Sequence, residues 1–404
     1  MVTQFYDQRR FDLYSYDFLS NPYPTYQDLL ENQPIYQCPK YGFYYIFQHK
    51  DIKRLLRHPH TSSDRSAALV ANLTPEEQAQ ISPLRQSFSL MAIFNDPPQH
   101  TPIRKLMVRS LSNKVMNNMT TIIETVANQL IDLFIEKKQC DLIKDFAYPL
   151  PAVIISKLLG VPVSDIDKIK SWSDDLALFL SDSTKIDIVA KASDTVVAMS
   201  DYFSHLLTYY RNQPADNFMT KLIAIQQSQI SLTDANLIAN AILLVFGGHE
   251  TTTNLIGNGW MTLKKHPEQL AKLGNHLNSA IEECLRFESP FQRIGRISTD
   301  PIDLDGFQIK ANHRILLVLG AANRDPAIFQ RPNQFDITRS DNPHLAFGHG
   351  IHLCSGASLS RLEAKVAFSL LQKRLHNWQL VDTKPKWQFN LSLRGMLSCP
   401  LQAI

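Results

Sequence analysis

The stretch FGHGIHLCSG, residues 347–356, places three glycines, two histidines and one cysteine within ten residues. Glycines allow tight backbone turns. The segment that follows, ASLSRLEAKVAFSLLQKRL, carries leucine and valine at helical spacing. Cys354 therefore lies at the start of an amphipathic helix, where free backbone N–H groups favour a thiolate.

Several interpretations of Cys354 are open at this point. A lone cysteine is often a small buried hydrophobic residue. A zinc site would use His349, His352 and Cys354, but their spacing is unusual and the chain offers no matching second half. A cysteine nucleophile needs a histidine base and a third orienting group, and no local signature supports one. A haem-thiolate ligand needs a dry loop that faces a large apolar cavity, and the loop meets only the first requirement.

The composition of the whole chain excludes several classes of protein. The 404 residues are 44% hydrophobic and 20% charged, which is typical of a globular protein with room for a buried cofactor. A net charge of +3 is too small to indicate nucleic-acid binding. The cysteines form no CxxC pair, which favours a reducing compartment. No signal peptide and no long apolar run is evident, so we expect a cytoplasmic protein without a membrane segment.

Secondary-structure patterns predict a mainly helical chain with a minor sheet, an α+β fold, in one domain over residues 1–404. Aromatic and β-branched residues predict strands at Tyr41–Gln48 and His313–Gly320. The dipeptide Asp305-Gly306 between short apolar runs is a strong hairpin signal.

The longest predicted helix begins at SLTD, with Ser231 as N-cap and Asp234 at N3, and continues to about His266. Its middle carries GGHETT, residues 247–252. Paired glycines and hydroxyl side chains weaken a helix. Such a local conflict often marks a functional site.

FGHGIHLCSG resembles the haem-binding loop of the cytochrome P450 superfamily, whose pattern is FxxGxxxCxG, and further motifs resemble soluble bacterial members over nearly the whole chain. The resemblance implies the cytochrome P450 fold, with a long central helix and a haem-binding loop. It implies haem b as cofactor, with Cys354 as the axial ligand of the iron. Phe347 would shield the sulfur, and Gly348 and Gly356 would shape the loop.

Residues 94–107, FNDPPQHTPIRKLM, resemble the family segment in which a histidine and an arginine bind a haem propionate. These residues are His100 and Arg104, which share one helix face at i and i+4. Arg296 and His352 match further propionate-binding positions. Cationic and hydrogen-bonding groups are the required partners of buried carboxylates.

GGHETT resembles the oxygen-activation motif of the family, in which the helix is kinked and the threonine bonds to a carbonyl one turn earlier. The resemblance assigns catalytic roles to Gly247, Gly248, Glu250 and Thr251. Oxygen would bind beside the glycines, and the acid and the alcohol would relay protons through water.

The pair Glu283 and Arg286 in EECLR, together with Arg339, resembles the buried salt-bridge triad of the family. Such a triad fixes loop geometry more than it stabilises the fold. Two departures from the family pattern are small. Leu359-Ser360-Arg361 replaces Leu-Ala-Arg after the haem-binding loop. The turn Lys310-Ala311-Asn312 replaces Pro-Ala-Gly, and Asn tolerates left-handed geometry.

The positions that correspond to the substrate pocket of the family are mostly apolar in this sequence, so we expect a lipophilic or mid-sized substrate. A mobile helix–loop–helix lid is expected from about residue 164 to 211. The predicted lining residues are Leu90, Met91, Phe94, Leu178, Phe179, Leu243, Phe246, Gln292, Ile294, Met396 and Leu397.

The resemblance implies a monooxygenase that uses O2 and electrons from NAD(P)H, delivered by a ferredoxin or flavodoxin with its reductase. Two basic clusters are predicted to dock this acidic partner. A peroxygenase, another P450-type oxidation such as coupling or desaturation, and a non-catalytic haem sensor are the alternatives. We expect a monomer whose substrate is free or attached to a carrier protein. The basic clusters are Lys105, Arg109 and Lys114, and Arg361, Lys365, Lys373 and Arg374.

Overall fold

The computed structural model describes residues 13, 15–39, 42–65, 73–111, 113–181, 185–228 and 232–404. The helices are α1 (Tyr16–Ser20), α2 (Tyr23–Asn32), α3 (His49–Leu55), α4 (Pro75–Gln80), α5 (Ser82–Phe88), α6 (His100–Ser110), α7 (Asn113–Ile135), α8 (Pro149–Leu159), α9 (Ile166–Ser181), α10 (Ile186–Asn212), α11 (Phe218–Gln227), α12 (Asp234–Gly248), α13 (Glu250–Lys265), α14 (Pro267–Leu270), α15 (Leu273–Phe287), α16 (Leu319–Ala322) and α17 (Ala357–Arg374). The strands are β1 (Ile35–Gln37), β2 (Tyr44–Ile46), β3 (Thr61–Ser62), β4 (Gln139–Asp141), β5 (Arg293–Ser298), β6 (Ile302–Leu304), β7 (Phe307–Ile309), β8 (Arg314–Val318), β9 (Trp378–Leu380) and β10 (Pro400–Ala403). Short 3-10 turns occur at Ala92–Phe94, Val163–Asp165 and Gly350–His352, and a π-helical turn occurs at Ile143–Ala147.

The strands form small sheets, so the mainly helical fold with a minor sheet is confirmed. One sheet has the order β1-β2-β8-β5-β3, a second has the order β4-β10-β9, and β6 and β7 form a hairpin. The predicted hairpin turns at Asp305 and Gly306, which have φ of 51° and 92°. The predicted strand at Tyr41–Gln48 is shortened to β2, and its first residue lies outside the described residues. Asn312 has φ of 60°, as its turn requires.

The central helix differs from its prediction in two ways. It is interrupted at His249 (ψ −72°), so α12 and α13 replace one continuous helix. The predicted N-cap, Ser231, lies outside the described residues, and the structure assigns that role to Thr233. The Thr233 hydroxyl accepts the N–H of Asn236, whose side chain accepts the N–H of Thr233 in return. Asp234 lies at the first helical position and pairs with Arg211.

The two central helices are buried within the largest hydrophobic core. Leu237, Ile242 and Val245 of α12 and Ile256 and Trp260 of α13 have no exposed surface. A helix that is apolar around most of its circumference is buried on all sides. No helix among the described residues is long and apolar enough to cross a membrane.

A buried ion cluster joins α15 to the segment before the Cys354 loop. Arg286 Nη2 lies 2.7 Å from Glu283 Oε1, and neither side chain is exposed. Arg339 Nε lies 3.1 Å from Glu283 Oε2. Arg286 also donates to the carbonyls of Asn323 and Pro332. The three residues predicted as a structural triad are thus in contact, and they hold a segment that has no regular secondary structure.

Candidate active site

Cys354 lies in a tight loop directly before α17. Its N–H donates to the Phe347 carbonyl at 2.9 Å, which closes the loop. Gly348 and Gly350 have φ of 71° and 76°, a region that side chains disfavour. A Cβ on Gly350 would also approach the Leu56 carbonyl oxygen at 2.9 Å. The loop therefore requires Gly348 and Gly350, and Cys354 lines the cavity.

The surroundings of Cys354 suit a thiolate ligand. Burial raises the pKa of the thiol, whereas the N–H groups of Gly356 and Ala357 and the guanidinium groups of Arg104 and Arg361 act in the opposite direction. A bound metal ion would shift this balance fully to the thiolate. Within the described residues, the one His/Cys/Asp/Glu group compact enough for a metal ion does not include Cys354. The zinc interpretation of the loop is therefore not supported.

The four predicted propionate-binding residues meet beside this loop, and we call them, together with Arg65, the cationic cradle. The rings of His100 and His352 have centroids 4.4 Å apart. Arg104 Nη1 donates to Ser355 Oγ at 2.5 Å. All five residues line the same cavity as Cys354; they are His100, Arg104, Arg296, His352 and Arg65.

Arg65 is a member of the cradle that sequence reasoning missed. Its guanidinium carbon lies 4.7 Å from the centroid of the Phe94 ring. A Cβ placed on Gly295, next to Arg296, would come within 2.8 Å of Arg65 Nη1. The link is the pairing of β3 with β5, which brings Ser62 opposite Ile297. No local pattern around Arg65 signals this placement.

The electrostatics of the cradle fit an anionic group. Burial and, to a lesser extent, neighbouring cations lower the pKa of His352 to about 3 and that of Arg65 to about 9. Burial lowers the pKa of Arg296 to about 10, while Asp96 acts in the opposite direction. His100 Nε2 is buried without a hydrogen-bond partner in the described part of the chain. A buried excess of donors and positive charge requires carboxylates, so these residues fit the two propionates of haem.

The interruption of the central helix lies at the wall of the cavity. Thr251 Oγ1 donates to the Gly247 carbonyl at 2.7 Å. A Cβ on Gly247 would meet nothing within 4 Å, whereas one on Gly248 would lie 3.3 Å from Ile155. Gly247, Gly248 and Thr251 line the cavity. The structure thus contains the bond between the threonine and a carbonyl that the resemblance predicted.

Glu250 has a different environment from its neighbour Thr251. It is buried and does not line the cavity. Its carboxylate lies in a group with Asp174 and His249, whose nearest ligand atoms are within 4.8 Å of one another. Burial, and then the charge of Asp174, raises the pKa of Glu250 to about 7. The predicted acid is therefore beside the cavity wall and not on it.

The cavity has a volume of about 400 Å³ and is bordered mainly by apolar side chains, which we call the apolar wall. The rings of Phe88 and Phe94 are stacked with centroids 4.6 Å apart, and Phe179 meets Phe88 edge to face. Five predicted lining residues belong to the wall: Phe94, Phe179, Leu243, Phe246 and Ile294. The wall also contains residues that were not predicted: Phe88, Ala92, Ile93, Leu244, Phe291, Leu391 and Leu393.

Leu90 and Met91 were predicted to line the cavity, and the structure corrects both. Asn240 of α12 donates to the Leu90 carbonyl at 2.9 Å and accepts the N–H of Ala92 at 3.0 Å. These bonds fix the segment so that Ala92 and Phe94 reach the cavity. Leu90 and Met91 pack into the surrounding core instead.

Four further predicted lining residues are also corrected. Leu178 and Leu397 are 50% and 61% exposed. Adjacent side chains point in different directions, and in each pair a neighbouring residue takes the inward direction. Met396 is that neighbour of Leu397, and it lies against Gly257 of α13. The side chain of Gln292 bonds to the Tyr26 hydroxyl and the Ser289 carbonyl.

The predicted docking cations are only partly available. Arg361 donates to both oxygens of Glu282, at 2.7 and 2.8 Å. Arg374 pairs with Asp132 at 2.7 Å. The side chain of Lys114 lies outside the described part of the structure. The remaining members, Lys105, Arg109, Lys365 and Lys373, are exposed.

Comparisons with known proteins agree with the fold and the site. The family model for cytochrome P450 matches residues 44–400. The biotin biosynthesis cytochrome P450 of Bacillus subtilis is 33% identical over 96% of this chain and 97% of its own length. The cytochrome P450 monooxygenase PikC of Streptomyces venezuelae is 35% identical over 96% of this chain and 92% of its own length.

Solved structures give the same result. The crystal structure of P450BioI in complex with hexadec-9Z-enoic acid ligated acyl carrier protein has a TM-score of 0.89 at 33% identity and covers 96% of this chain and 99% of its own. Myxobacterial CYP267B1 in complex with myristic acid has a TM-score of 0.87 at 31% identity, with 97% and 99% coverage. The chain therefore belongs to the cytochrome P450 family, and it is an oxidoreductase of the monooxygenase type.

Proposed function

We propose that this protein inserts one oxygen atom from O2 into a long, lipophilic acyl substrate, free or attached to a carrier protein. One observation carries the oxygen-dependent reaction. The Thr251 hydroxyl, held by the Gly247 carbonyl at 2.7 Å, lines the same cavity as Cys354. A peroxide-dependent enzyme or a passive haem carrier has no need of a proton donor at this position.

The roles of the residues follow from their places in the cavity. Cys354 would bind the iron of haem, and the cationic cradle would bind its propionates. Haem, when bound, would supply the activation of O2 and the oxidation of the substrate. The apolar wall binds the substrate and excludes water. Thr251 holds a proton at the cavity, and Glu250 beside it supplies protons to that hydroxyl.

The apolar wall and an arginine outside the cationic cradle together favour an amphipathic substrate. Long apolar chains are bound by hydrophobic burial, and an acidic or carrier-linked end is compatible with Arg85, an exposed residue of α5 that also lines the cavity. Relatives support this class, since one solved structure contains hexadec-9Z-enoic acid on acyl carrier protein and another contains myristic acid.

Spectral titration tests the substrate class. We expect haem-loaded protein to show a substrate-induced spectral shift with free or carrier-linked acyl chains, and none with short polar acids of equal charge. A shift that appears only with the short acids would contradict the assignment.

The thiolate assignment is tested by spectroscopy of the reduced carbonmonoxy form. Wild type should show the long-wavelength Soret band that defines a thiolate-ligated haem. Cys354→Ser should lose this band and turnover, whereas Cys38→Ala, at a buried free cysteine that does not line the cavity, should retain both. Full turnover with hydrogen peroxide and without electron donors would favour a peroxygenase instead.

Electrons reach the haem from an acidic ferredoxin or flavodoxin in this proposal. Lys105 and Arg109 are exposed on α6, the helix that also carries His100 and Arg104. The double variant Lys105→Glu/Arg109→Glu should slow reduction, most strongly at low ionic strength. Lys310→Glu, an exposed change near the β6–β7 hairpin, is the matched control. Equal rates for both variants would contradict docking on α6.

A further inference from the structure

A group of titratable side chains lies beside the interruption of the central helix and outside the lining of the cavity. It contains Asp174 of α9 and the consecutive residues His249 and Glu250. Glu250 is only 6% exposed, and its carboxylate has no hydrogen-bond partner among the described residues. Asp174 is exposed. A buried acid without a partner therefore lies next to an acid in contact with bulk water.

We infer that Asp174 is the surface entry point for the protons that Glu250 delivers to Thr251 at the cavity. The inference rests on the proposed function. Protonated Asp174 gives its proton to the Glu250 carboxylate, and Asp174 takes a new proton from bulk water. Glu250 then gives the proton that it received to the Thr251 hydroxyl, directly or through a water molecule, and that hydroxyl releases its own proton into the cavity. Both carboxylates thereby return to their starting states.

The geometry permits this transfer. The acidic oxygens of Asp174 and Glu250 belong to a group within 4.8 Å, a distance that one bridging water spans. Glu250 directly precedes Thr251, and its flexible side chain can turn between Asp174 and the cavity wall. In this proposal the pair connects solvent with the Thr251 hydroxyl, which donates to the Gly247 carbonyl.

The pKa of the buried acid is suited to proton exchange near neutral pH. Burial and the Asp174 charge raise the pKa of Glu250 to about 7. Burial also raises the pKa of Asp174, whereas the Tyr148 hydroxyl, 2.8 and 2.9 Å from its two oxygens, lowers it. An acid that titrates near the working pH is an efficient proton carrier. The other charged groups that face Asp174 are Asp175, Lys170 and Lys191.

His249 is a positioning residue and not a carrier. Its Nδ1 lies 3.1 Å from Ser173 Oγ, and its Nε2 lies 3.2 Å from the Tyr148 carbonyl oxygen. Burial lowers its pKa to about 4, so the ring stays neutral. Because both nitrogens are already engaged, the group favours proton transfer over metal binding.

The kinetic test compares three variants of the haem-loaded enzyme. Asp174→Asn removes the entry acid and should slow product formation roughly tenfold while raising the solvent deuterium isotope effect. Asp174→Glu keeps an acid and should restore the rate. Asp201→Asn removes an exposed carboxylate of α10 and should match wild type. Identical rates and isotope effects for Asp174→Asn and Asp201→Asn would overturn the inference.

A second test does not depend on turnover. Infrared difference spectroscopy can follow the protonated carboxyl band of Glu250, which Glu250→Gln identifies by removing it. Because the Asp174 charge raises the pKa of Glu250, Asp174→Asn should move its titration midpoint to lower pH. An unchanged midpoint would contradict the coupling. Absence of the thiolate Soret band from wild type would refute the proposed function, and the infrared result would still decide whether the two acids are coupled.

Discussion

The cationic cradle and the apolar wall border one cavity but are built on different physical principles. In the cradle, His100 Nε2 is buried without a hydrogen-bond partner in the described part of the chain, and burial and then the charge of Arg296 lower the pKa of Arg65. Few residue types can satisfy such a site. In the wall, Phe88, Phe94 and Phe179 interlock through ring contacts, and other apolar residues of similar volume would serve. The comparison predicts that substitutions in the cradle have large effects that depend on charge. Substitutions in the wall should have graded effects that depend on side-chain size.

Thr251 is a polar residue that lines the cavity beside the apolar wall, and its substitution should have the largest effect. Thr251→Ala removes the hydroxyl that donates to Gly247. Product formation should fall about 100-fold, as expected for loss of a proton-transfer group, with more hydrogen peroxide released per electron pair. Thr251→Ser keeps the donor and should remain close to wild type. Equal coupling in the alanine and serine variants would show that the hydroxyl has no role.

A substitution at Arg296 tests whether the cradle binds haem through the charge of its carboxylates. Arg296→Gln should weaken haem binding by about 10-fold to 100-fold, the range for a lost charge-assisted hydrogen bond. Haem dimethyl ester, whose carboxylates are masked, provides the matched ligand. It should bind wild type more weakly than haem and should lose no further affinity in the variant. An equal loss for both ligands would mean that Arg296 acts through the fold alone.

Substitutions at Leu243 and Leu178 test which of the predicted lining residues contact the substrate. Leu243 lines the cavity, whereas Leu178 is 50% exposed. Leu243→Trp should weaken binding of an acyl substrate about tenfold through overpacking, measured by spectral titration. Leu178→Trp should leave the dissociation constant nearly unchanged. A larger change of the dissociation constant in Leu178→Trp than in Leu243→Trp would indicate that Leu178 contacts the substrate.

Glu363 is an acid that borders the cavity, and its effect should be the smallest. Its Oε2 is buried without a partner in the described part of the chain, and burial raises its pKa well above the ordinary value. Above the unfolded pKa of about 4.3, ionisation of the unfolded chain therefore lowers the free energy of unfolding. Glu363→Gln should stabilise the protein by about 1 kcal/mol in mildly alkaline buffer, and much less near that pKa. Glu268→Gln, at an exposed carboxylate, is the control and should leave thermal unfolding close to that of wild type.

Part of the cradle and part of the ion cluster could be predicted from short spacings in the sequence, whereas Arg296, His352 and Arg339 were predicted from the resemblance to the family. His100 and Arg104 share a helix face by their separation alone. Glu283 and Arg286 meet for the same reason, at 2.7 Å. The interruption at His249 was signalled by glycines and threonines in an apolar helix. In each case, polar groups in a buried position are close together in the sequence, so a local pattern reveals them.

The wall could not be predicted with equal success, because adjacent residues on a helix face directions about 100° apart. Phe179 borders the cavity and Leu178 faces solvent, yet their local sequence is equally apolar. Met396 and Leu397 alternate across an extended segment in the same way. A small rotation of a helix or strand about its axis changes which residue of such a pair faces the cavity. Packing against elements that are distant in sequence determines this rotation.

The sequence by itself determined the family, the cysteine loop, the shared helix face of His100 and Arg104 and the threonine of the central helix, because these depend on polar groups at fixed short separations. The other two predicted cradle residues, Arg296 and His352, followed from the resemblance to the family. Only the tertiary structure decided that Arg65 joins the cradle, since the pairing of β3 with β5 brings it beside Gly295. It also decided that Glu250 lies next to Asp174 and away from the cavity lining. Contacts between residues far apart in the chain depend on how whole elements pack, and no local pattern contains that information.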